Sequence, residues 1–581
     1  MLILDRKAYL INYSFRYYMI AAIMTMAAMN LNSIINGILM GNLLGADAFS
    51  SINVAMPVVI CISAIGALLA QGPANRIAQH LGAMDNNRAN QVFTVSFGSM
   101  LAVCLTLSAI VAATDFSAFV VGLLPVDAEL LPLVSKYIGV LMMGCMVIVF
   151  QNGLSLLVDV MGKPKVVTIG MIAGMVANAA FVVTSVKVLH MDIVGAAYAT
   201  LFGALVCDMV LLGYIFKYSG MKLCRCPNWW KDFRSGIAYS LPSLVGTISV
   251  IVLMLVCNTY IMANQGANGM FVMSIGYSII SIGSMISNGV GMSYTAIGGM
   301  MIGQGDYRGV RLLFARGMFV TLLAPICFNI GGLFSRNLAS LFGANTPELI
   351  ELTGHALPMI CVMLFSLGIV SSLTFLHVAL GHRVISSVNS LMTLATITVS
   401  FMFLDYMLPP DQIWWAFPLA TALSLLIILS DTMAVSMRSQ GKLQLVSLIP
   451  KDDPERKMLD ISVECTAKEE TAAIDSLIRF LRENGASDWE NSVVHCLDEL
   501  MLNILNHSGC GSGSYMDLSV MLQEDKIAAY LRSEGKPFDP LKVKKDDHKI
   551  GMTIIFHYCS SLEYRYSYSQ NIVLVSWDIV S

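Results

Sequence analysis

Twelve long runs of apolar residues constrain the fold of this chain more than any other feature. Each run is long enough for an α-helix to cross the bilayer's hydrocarbon core, which takes about 20 residues. Because backbone N–H and C=O groups find no partners in lipid, the runs must form helices, and their unbroken apolar character excludes a β-barrel. The predicted spans are 17–40, 52–76, 92–113, 134–158, 166–188, 194–216, 237–263, 271–298, 317–334, 357–379, 385–407 and 413–437.

The charged side chains divide the 581-residue chain into two parts. Hydrophobic residues make up 56% of the chain and charged residues 13%, a balance typical of a membrane protein. About half of the charged side chains nevertheless follow residue 450, at a density typical of a globular domain. We therefore predict a membrane domain over 1–440, a linker over 441–457 and a domain over 458–581. The net charge of −3 disfavours nucleic acid as a partner.

Lysines and arginines are unequally shared between the two faces of the predicted membrane domain. With the N-terminus inside, the outer face keeps only Lys136, Lys187 and Arg336. Since cytoplasmic loops carry the excess of positive charge, the pattern places both termini in the cytoplasm of a multi-pass protein of the cell membrane. The inner face collects Arg6, Lys7, Arg16, Arg76, Arg88, Lys163, Lys165, Lys217, Lys222, Arg225, Lys231, Arg234, Arg308, Arg311, Arg316, Arg383, Arg438 and Lys442.

Sequence patterns in the first half of the membrane domain return about 220 residues later. The segment 81–93 (LGAMDNNRANQVF) matches 302–314 (IGQGDYRGVRLLF), and 36–46 matches 258–267. Gly162 before Lys163 likewise matches Gly381 before His382. Such repeats are common in transporter folds. They predict two six-helix halves, about 10–220 and 235–440, with the same orientation and a cavity between them.

These segments carry a family resemblance. INGILMGNLLGADAFSSINVAMPV, HLGAMDNNRANQVF and MDIVGAAYATLFGAL resemble the first half of the multidrug and toxic compound extrusion (MATE) family, and MIGQGDYRGVRLLF resembles its second half. The resemblance covers about residues 10–440. It implies an antiporter, coupled to H⁺ or Na⁺, that exports small and often cationic organic compounds by alternating access.

The chain departs from that family at the acidic residues that commonly couple transport to an ion. Asn36 stands where many relatives have an Asp in the first helix, and Asn178 begins a fifth-helix pattern that lacks its Asp. Asp208 is the first candidate for a coupling carboxylate, ahead of Asp159, Asp405 and Asp431; the alternative is a solvated or Lys-paired charge at a helix end. Asn36 and Asn258 occupy matching places and are candidates for the substrate cavity, or for hydrogen bonding between helices.

The C-terminal region has the pattern of an α/β domain. Thr466-x-x-Glu469 and Ser487-x-x-Glu490 have the spacing of capping boxes that open helices, and Gly485 suits the end of the first helix. The segments 514–522, 527–533, 562–568 and 571–577 are rich in β-branched or aromatic residues and predict strands packed on those helices.

Three polar residues share one face of the second helix. Glu499, Asn503 and His507 are spaced four residues apart on an otherwise apolar segment. With SEGKPFDP at 533–540 and KIGMTII at 549–555, they resemble the Bergerat-fold (GHKL) ATP-binding domain of anti-sigma-factor serine kinases and histidine kinases. The resemblance covers about residues 458–578.

By that resemblance, Asn503 coordinates Mg²⁺ and Glu499 is the general base. The other residues that it assigns to ATP are His507, Ser533, Gly535, Asp539 and Gly551. The family's adenine-binding Asp is replaced by Ser533, which lacks the charge-assisted strength of a carboxylate. Three interpretations stay open for this domain: a nucleotide-binding regulatory module, an active protein kinase, or a nucleotide-free interaction domain.

Three functions stay open for the whole chain. The first is a MATE-like exporter of small molecules whose cytoplasmic ATPase-like domain couples transport to a nucleotide or to a cytosolic regulatory protein. The second is a membrane sensor that binds a ligand and signals through a kinase-like C-terminal domain. The third is a flippase for lipid-linked compounds or polysaccharides, which the absence of cationic residues from 237–298 disfavours.

Overall fold

The computed structural model describes residues 8–44, 46–122, 131–341, 346–407, 409–451, 457–511, 513–540 and 555–579; within some helices it leaves individual side chains, that of Asn36 among them, undescribed. The chain divides into two compact units. The membrane unit comprises Met19–Gly305 and Phe314–Pro450. The C-terminal unit comprises Met1–Tyr18, Asp306–Leu313 and Lys451–Ser581.

Helices account for the apolar runs of the sequence. In chain order they are α1 (Tyr9–Leu44), α2 (Ala46–Gly82), α3 (Asn86–Ala113), α4 (Phe116–Gly122), α5 (Leu131–Met143), α6 (Cys145–Val160), α7 (Pro164–Lys187), α8 (Ile193–Tyr218), α9 (Trp229–Ser293), α10 (Gly299–Gly303), α11 (Tyr307–Gly332), α12 (Ser335–Leu341), α13 (Pro347–Ala379), α14 (Arg383–Met407) and α15 (Ala416–Arg438).

The described helices give a count of spans slightly below the predicted twelve. Ten are long and apolar enough to cross a bilayer, and the bent pair α5 and α6 brings the number to eleven. Helix α1 covers the first predicted span, but several of its side chains lie outside the described ones. The prediction of an all-helical membrane domain is confirmed.

The structure differs from the predicted spans in two places. Helices α5 and α6 meet at a bend of 57°. Helix α9 joins the seventh and eighth predicted spans without a loop, because Gly266 adopts φ 59° and ψ −148° and turns the chain inside one helical run. A side chain disfavours this region of backbone space, so glycine is needed at the kink.

Proline also interrupts helix α2, and neighbouring helices compensate. Pro73 has no N–H and leaves the carbonyl of Leu69 without its helical donor. The Ser96 hydroxyl of α3 donates to that carbonyl at 2.7 Å. The Gly72 N–H donates to the Ser240 hydroxyl of α9, also at 2.7 Å. The backbone groups freed by the proline are thereby satisfied inside the membrane unit.

The repeated sequence segments have repeated local geometry. Gly162 and Gly381 have φ of 86° and 87° in matching turns. Asp85 Oδ1 accepts a hydrogen bond from the backbone N–H three residues later at 3.0 Å, and Asp306 Oδ1 does the same at 2.8 Å. The residues before them have φ of 59° and 70°. The two halves therefore share their turn chemistry.

The C-terminal unit contains an α/β domain with a small antiparallel sheet. Strands lie in the order β1-β2-β3-β5-β4. Apolar side chains of the strands and of both helices, such as Leu477, Leu500 and Trp577, form one core. The elements are β1 (Met458–Glu464), α16 (Ala467–Glu483), α17 (Glu490–His507), β2 (Tyr515–Leu522), β3 (Lys526–Ser533), β4 (Ser561–Ser567) and β5 (Gln570–Asp578).

Most local predictions for this domain agree with the structure, with two exceptions. The Thr466 side chain accepts from the backbone N–H of Glu469 and begins α16, as predicted, and Gly485 follows its end with φ 76°. The second capping box was wrong: Ser487 opens a short 3₁₀ turn, and α17 begins at Glu490. Strand β1 was not predicted. The α/β class agrees with the sheet, and a Bergerat fold stays a prediction.

The same unit includes the start of α1. The Ser14 hydroxyl donates to the carbonyl of Tyr568 at 2.9 Å, and the Gln570 amide donates to that of Leu10 at 2.9 Å. The rings of Tyr9 and Tyr515 stack with centroids 3.9 Å apart. The first turns of α1 thus pack on the β4–β5 turn and on β2.

The first part of the predicted linker is folded. Leu443 and Pro450 form a β-bridge, and the Ser436 hydroxyl at the end of α15 donates to the carbonyl of Leu443 at 3.0 Å. Val446 packs against the apolar cluster that includes Ile428. Residues up to Pro450 accordingly belong to the membrane unit.

Candidate functional site

Carboxamide side chains line a cavity of about 180 Å³ in the first half of the membrane unit. Asn32, Gln151, Asn152 and Asn178 reach it from α1, α6 and α7. The Asn178 amide donates to Asn32 Oδ1 at 3.3 Å, whereas the buried Oδ1 of Asn178 has no hydrogen-bond partner among the described residues. An unused acceptor in an amide-lined cavity suits a bound ion, water or ligand donor.

Asp208 lies on α8, one turn beyond Ala204, which lines this cavity. Its side chain is only 4% exposed, and its Oδ1 has no hydrogen-bond partner in the described part of the chain. A bare carboxylate in such surroundings is costly, which favours binding of a proton or a cation. Asp159 on α6 is also buried, at 6% exposure. Both carboxyl groups are therefore buried rather than solvated, and the choice between ion coupling and pairing with a lysine stays open.

Asn32 lines this cavity but was not among the predicted site residues. The predicted candidate, Asn36, has a side chain outside the described ones. Asn32 and Asn36 are four residues apart on α1 and so share one helix face. That spacing was the available signal for Asn32.

A second cavity, of about 380 Å³, is lined mainly by helices of the second half of the membrane unit, with Gln71 of α2 from the first half. Its wall combines apolar side chains with hydroxyls and amides, and none of its described lining residues is acidic or basic. The lining residues are Gln71, Tyr239, Pro242, Ser243, Gly246, Thr247, Ser249, Val250, Asn288, Leu367, Val370, Ser371, Thr374, Phe375, Val378, Ser390, Thr393 and Leu394. Its size is that of a small-molecule site.

Asn258 is not among the residues that line these two cavities. Its Oδ1 accepts from the Tyr277 hydroxyl at 3.0 Å, which joins the two arms of α9 across the kink. The contact agrees with the alternative interpretation of Asn258, hydrogen bonding between helices.

Helices α2 and α10 cross at a close contact between the two repeats. A Cβ added to Gly82 would lie 2.7 Å from the carbonyl carbon of Met300, and one added to Gly303 would lie 2.7 Å from that of Gln79. Gly82 and Gly303 are matching positions of the repeat, and so are Gln79 and Met300. The contact is therefore reciprocal, and only glycine lets the backbones approach so closely.

Charged side chains accompany this crossing on the predicted cytoplasmic side. Arg76 of α2 contacts Asp232 of α9, with Nη2 and Oδ1 3.2 Å apart, and Arg88 lies 3.8 Å from the other carboxylate oxygen. The Gln79 amide donates to the carbonyl of Ala379 at 2.9 Å. The two halves are therefore held together at this end of the membrane unit.

In the C-terminal domain, helix α17 brings together three residues predicted to bind nucleotide. Asn503 Nδ2 donates to Glu499 Oε1 at 2.9 Å, which leaves Asn503 Oδ1 as an oxygen for a cation. The His507 ring stacks on Phe538, with ring centroids 5.4 Å apart. Phe538 belongs to the same loop as Asp539, so the end of α17 faces the segment that follows β3.

That segment makes a tight approach to α17. Gly535 has φ 119°, and a Cβ there would lie 2.5 Å from the carbonyl oxygen of Ser508. Ser533 is fully buried, and its hydroxyl has no hydrogen-bond partner among the described residues. The assignment of Ser533 to adenine binding stays a prediction of the resemblance. Gly551 and the predicted lid at 542–549 lie outside the described residues.

Glu470 and Asp498 form a pair of acidic side chains that was not predicted from the sequence. Burial, together with a hydrogen bond to the Asp498 carboxyl, raises the pKa of Glu470 to about 7. The two residues lie on α16 and α17, so their proximity depends on how the helices pack. No cluster of three or more metal-binding side chains occurs among the described residues.

Two bacterial transport proteins are similar to this chain in sequence. The multidrug export protein MepA of Staphylococcus aureus is 27% identical over 233 residues, 38% of this chain and 51% of that protein. The probable multidrug resistance protein YpnP of Bacillus subtilis is 23% identical over 281 residues, 48% of this chain and 62% of that protein. The chain spans about half the length of the curated relatives that it matches.

A solved structure shares the fold over a larger part of the chain. It is described as the outward-facing conformation of a multidrug resistance MATE family transporter of the MOP superfamily, and it matches with a TM-score of 0.67 at 19% identity. The match covers 74% of this chain and 96% of that one.

The MatE family model matches the chain twice. The matched ranges are 21–184 and 242–404, one in each predicted half, and together they cover more than half of the chain. The two matches begin 221 residues apart, in agreement with the internal repeat. This multi-pass membrane protein therefore belongs to the MatE family.

Proposed function

We propose that the chain exports small organic compounds by alternating access, driven by an H⁺ or Na⁺ gradient across the cell membrane. The observation that carries the proposal is the buried Asp208 carboxyl, whose Oδ1 has no partner among the described residues, beside an amide-lined cavity in a two-half MatE membrane unit. The names of the multidrug relatives support the class of substrate. Both termini then lie in the cytoplasm, as the distribution of Lys and Arg predicts.

Ion binding at Asp208 gives the exporter its coupling step. A bound proton or Na⁺ removes the cost of burying a bare carboxylate and so stabilises the conformation in which Asp208 is enclosed. Release of the ion favours a conformation that hydrates the carboxylate. The gradient thereby biases an equilibrium between two conformations, which is the requirement for coupling.

The test is gradient-driven transport by the full-length chain in inverted vesicles, with a panel of neutral and cationic aromatic dyes. Uptake should collapse with the H⁺ or the Na⁺ gradient. Asp208→Asn should lower gradient-driven uptake about tenfold or more, while exchange of labelled for unlabelled dye persists. Asp405→Asn is the matched control, since Asp405 is exposed and accepts from the Asn264 amide. Equal gradient-driven uptake by Asp208→Asn and the wild type would exclude Asp208 as the coupling group.

We propose further that the C-terminal domain binds Mg-ATP and regulates transport. The supporting observation is the orphaned Ser533 hydroxyl next to the close approach of Gly535 and Ser508. When bound, the nucleotide would supply phosphate oxygens for Mg²⁺, with Asn503 Oδ1 as the protein ligand. Glu499 is placed to orient the Asn503 amide through their hydrogen bond. A cytosolic regulatory protein remains a proposed partner of this domain.

ATP binding is measured on the full-length chain in nanodiscs by calorimetry with Mg²⁺. Asn503→Ala should abolish the binding isotherm, and Asn491→Ala, an exposed position on the same helix, should leave it intact. Lack of heat from the wild type at millimolar ATP would identify a nucleotide-free interaction domain. No observation on the described residues favours the sensor or flippase alternatives, and we do not propose them.

A further inference from the structure

The C-terminal sheet has a second face, opposite its helices, that carries polar side chains near one end. In β3 and β5, Leu531 and its partner Val573 belong to the core that the sheet forms with α16 and α17. Successive side chains of a strand point to opposite faces, so Arg532 and Gln570 lie on the other face. They are diagonal neighbours in the antiparallel pair, about 7–8 Å apart. One small area of the sheet therefore presents both side chains.

Gln570 attaches this face to the start of α1. Its amide donates to the carbonyl of Leu10 at 2.9 Å, and the carbonyl of Tyr568, in the turn before it, accepts from the Ser14 hydroxyl at 2.9 Å. The rings of Tyr18 and Tyr568 meet edge to face, with centroids 5.8 Å apart. Gln570 and Ser14 are both buried. Their hydrogen bonds form away from water, where such bonds are stronger.

Arg532 attaches the same face to the start of α11. Its Nη2 lies 3.1 Å from Oδ2 of Asp306, and both side chains are almost fully buried. Through Oδ1, Asp306 also accepts from the backbone N–H of Gly309 at 2.8 Å, so it caps the helix that begins at Tyr307. The guanidinium is therefore joined to the first turn of α11 through a residue that the helix itself holds in place.

The two helices attached to this face belong to different halves of the membrane domain. Most of α1 falls in the first MatE match, and all of α11 falls in the second. In alternating access one half rocks against the other, which moves the start of α1 relative to the start of α11. A sheet that holds both starts at points about 8 Å apart opposes this movement.

The start of α11 lies close in sequence to the crossing of α2 and α10. Gly303, whose backbone approaches Gln79 at that crossing, precedes Asp306 by only three residues. Separation of the two halves at this end therefore affects both the crossing and the start of α11.

We infer that the C-terminal domain ties the two halves together: it holds the starts of α1 and α11 on one face of its sheet and stabilises the conformation that is closed at this end. This role rests on the proposed alternating access, and it gives the proposed regulation of transport a physical basis. A ligand or protein that loosens either attachment would release the exporter. The tie itself requires no nucleotide.

Hydrogen exchange of the full-length chain in nanodiscs tests the inference. Two double variants cut the tie at different ends. Ser14→Ala with Gln570→Ala releases α1, and Asp306→Asn with Arg532→Met releases α11. In the second variant Asn keeps the helix cap, and no charge is left buried alone. Each should speed exchange of the α2 segment 74–84 about tenfold, since two hydrogen bonds or one ion pair are lost.

The matched control is a hydrogen bond at the other end of the same sheet. Ser561→Ala removes the bond between the Ser561 and Ser576 hydroxyls, which joins β4 to β5. Segment 74–84 should exchange in this variant as in the wild type. Exchange in α16 and α17 should also keep wild-type rates in both double variants, which shows that the domain remains folded. If one double variant loosens the domain, the other decides.

Combining the two double variants distinguishes a tie from two independent contacts. A tie is released when either end is cut, so the combined variant should exchange at 74–84 no faster than either double variant alone. Additive effects, or wild-type exchange in a double variant whose domain is folded, would overturn the inference.

Dye transport separates this result from the export function. The expected pattern of exchange, with no gradient-driven transport by the wild type, would support the tie and refute the exporter. Gradient-driven transport by the wild type, with unchanged exchange in both double variants, would refute the tie and leave the exporter standing.

Discussion

Alanine at Gly303 should open the crossing of α2 and α10. The added methyl group would overlap the carbonyl oxygen of Gln79, its nearest atom, and would lie 2.7 Å from the carbonyl carbon, whereas carbon atoms pack best at about 3.5–4.0 Å. The two backbones must therefore separate by at least ~1 Å. Overpacking of this kind costs about 1–3 kcal/mol, and each 1.4 kcal/mol shifts an equilibrium tenfold. The conformation closed at this end should lose population about 5- to 150-fold.

Hydrogen exchange of the full-length chain in nanodiscs measures this shift. Peptides from 74–84 and 296–305 should exchange faster in Gly303→Ala, while those from α7 and α8 keep their wild-type rates. Gly213→Ala is the matched control, because a Cβ at Gly213 has no atom within 4 Å. Gly82→Ala should act like Gly303→Ala. The double variant should cost less than the sum of the two, since the same separation accommodates both methyl groups. Wild-type exchange in Gly303→Ala, or strict additivity, would refute the reasoning.

Three further predictions concern the C-terminal domain. Ser533→Asp should tighten Mg-ATP binding about tenfold by calorimetry, because a carboxylate accepts the adenine amino group more strongly than a hydroxyl; unchanged or weaker binding would argue against an adenine position there. Glu470 has a folded-state pKa of about 7, above its ordinary 4.5, because of burial and the nearby Asp498 carboxyl. The folded state then binds more protons than the unfolded state, so the stability of the domain should fall by on the order of 1 kcal/mol as the pH rises from about 5 to 8. Hydrogen exchange in α16 and α17, corrected for intrinsic rates, should report this loss of stability. Glu470→Gln should remove the pH dependence. Thr466→Ala should speed exchange at the start of α16 by loss of a cap worth about 1 kcal/mol, whereas Ser487→Ala, at the false capping box, should leave the start of α17 unchanged.

The sequence predicted the membrane helices well because lipid imposes one rule on every span. Each run had to be helical and about 20 residues long, and the helices α2, α3, α7, α8, α13 and α14 contain their predicted runs almost entirely. Local turn chemistry was also readable, as at Thr466 and Gly162. These features depend on residues close together in the sequence.

Features that depend on distant segments could not be predicted in this way. The bend after α5 leaves no apolar signal, and the role of Gly303 depends on the position of Gln79 more than two hundred residues away. The place of Asn32 in the cavity depends on which face α1 turns toward α7. Strand β1 pairs with β2 across both helices of the domain, so its short segment has meaning only within the assembled sheet.

The repeated aspartates Asp85 and Asp306 have different surroundings, so substitutions at the two positions should have different effects. Both cap the helix that follows, but Asp85 is exposed, whereas Asp306 is 2% exposed and its Oδ2 lies 3.1 Å from Nη2 of the equally buried Arg532. Replacing Asp85 by Asn keeps a capping residue, while the same change at Asp306 leaves a buried guanidinium without its counter-charge. Within this repeated turn, substitution should be tolerated at Asp85 and should destabilise the protein at Asp306. Among homologues that carry the C-terminal domain, Asp306 and Arg532 should change together, and Asp85 should vary freely among good capping residues.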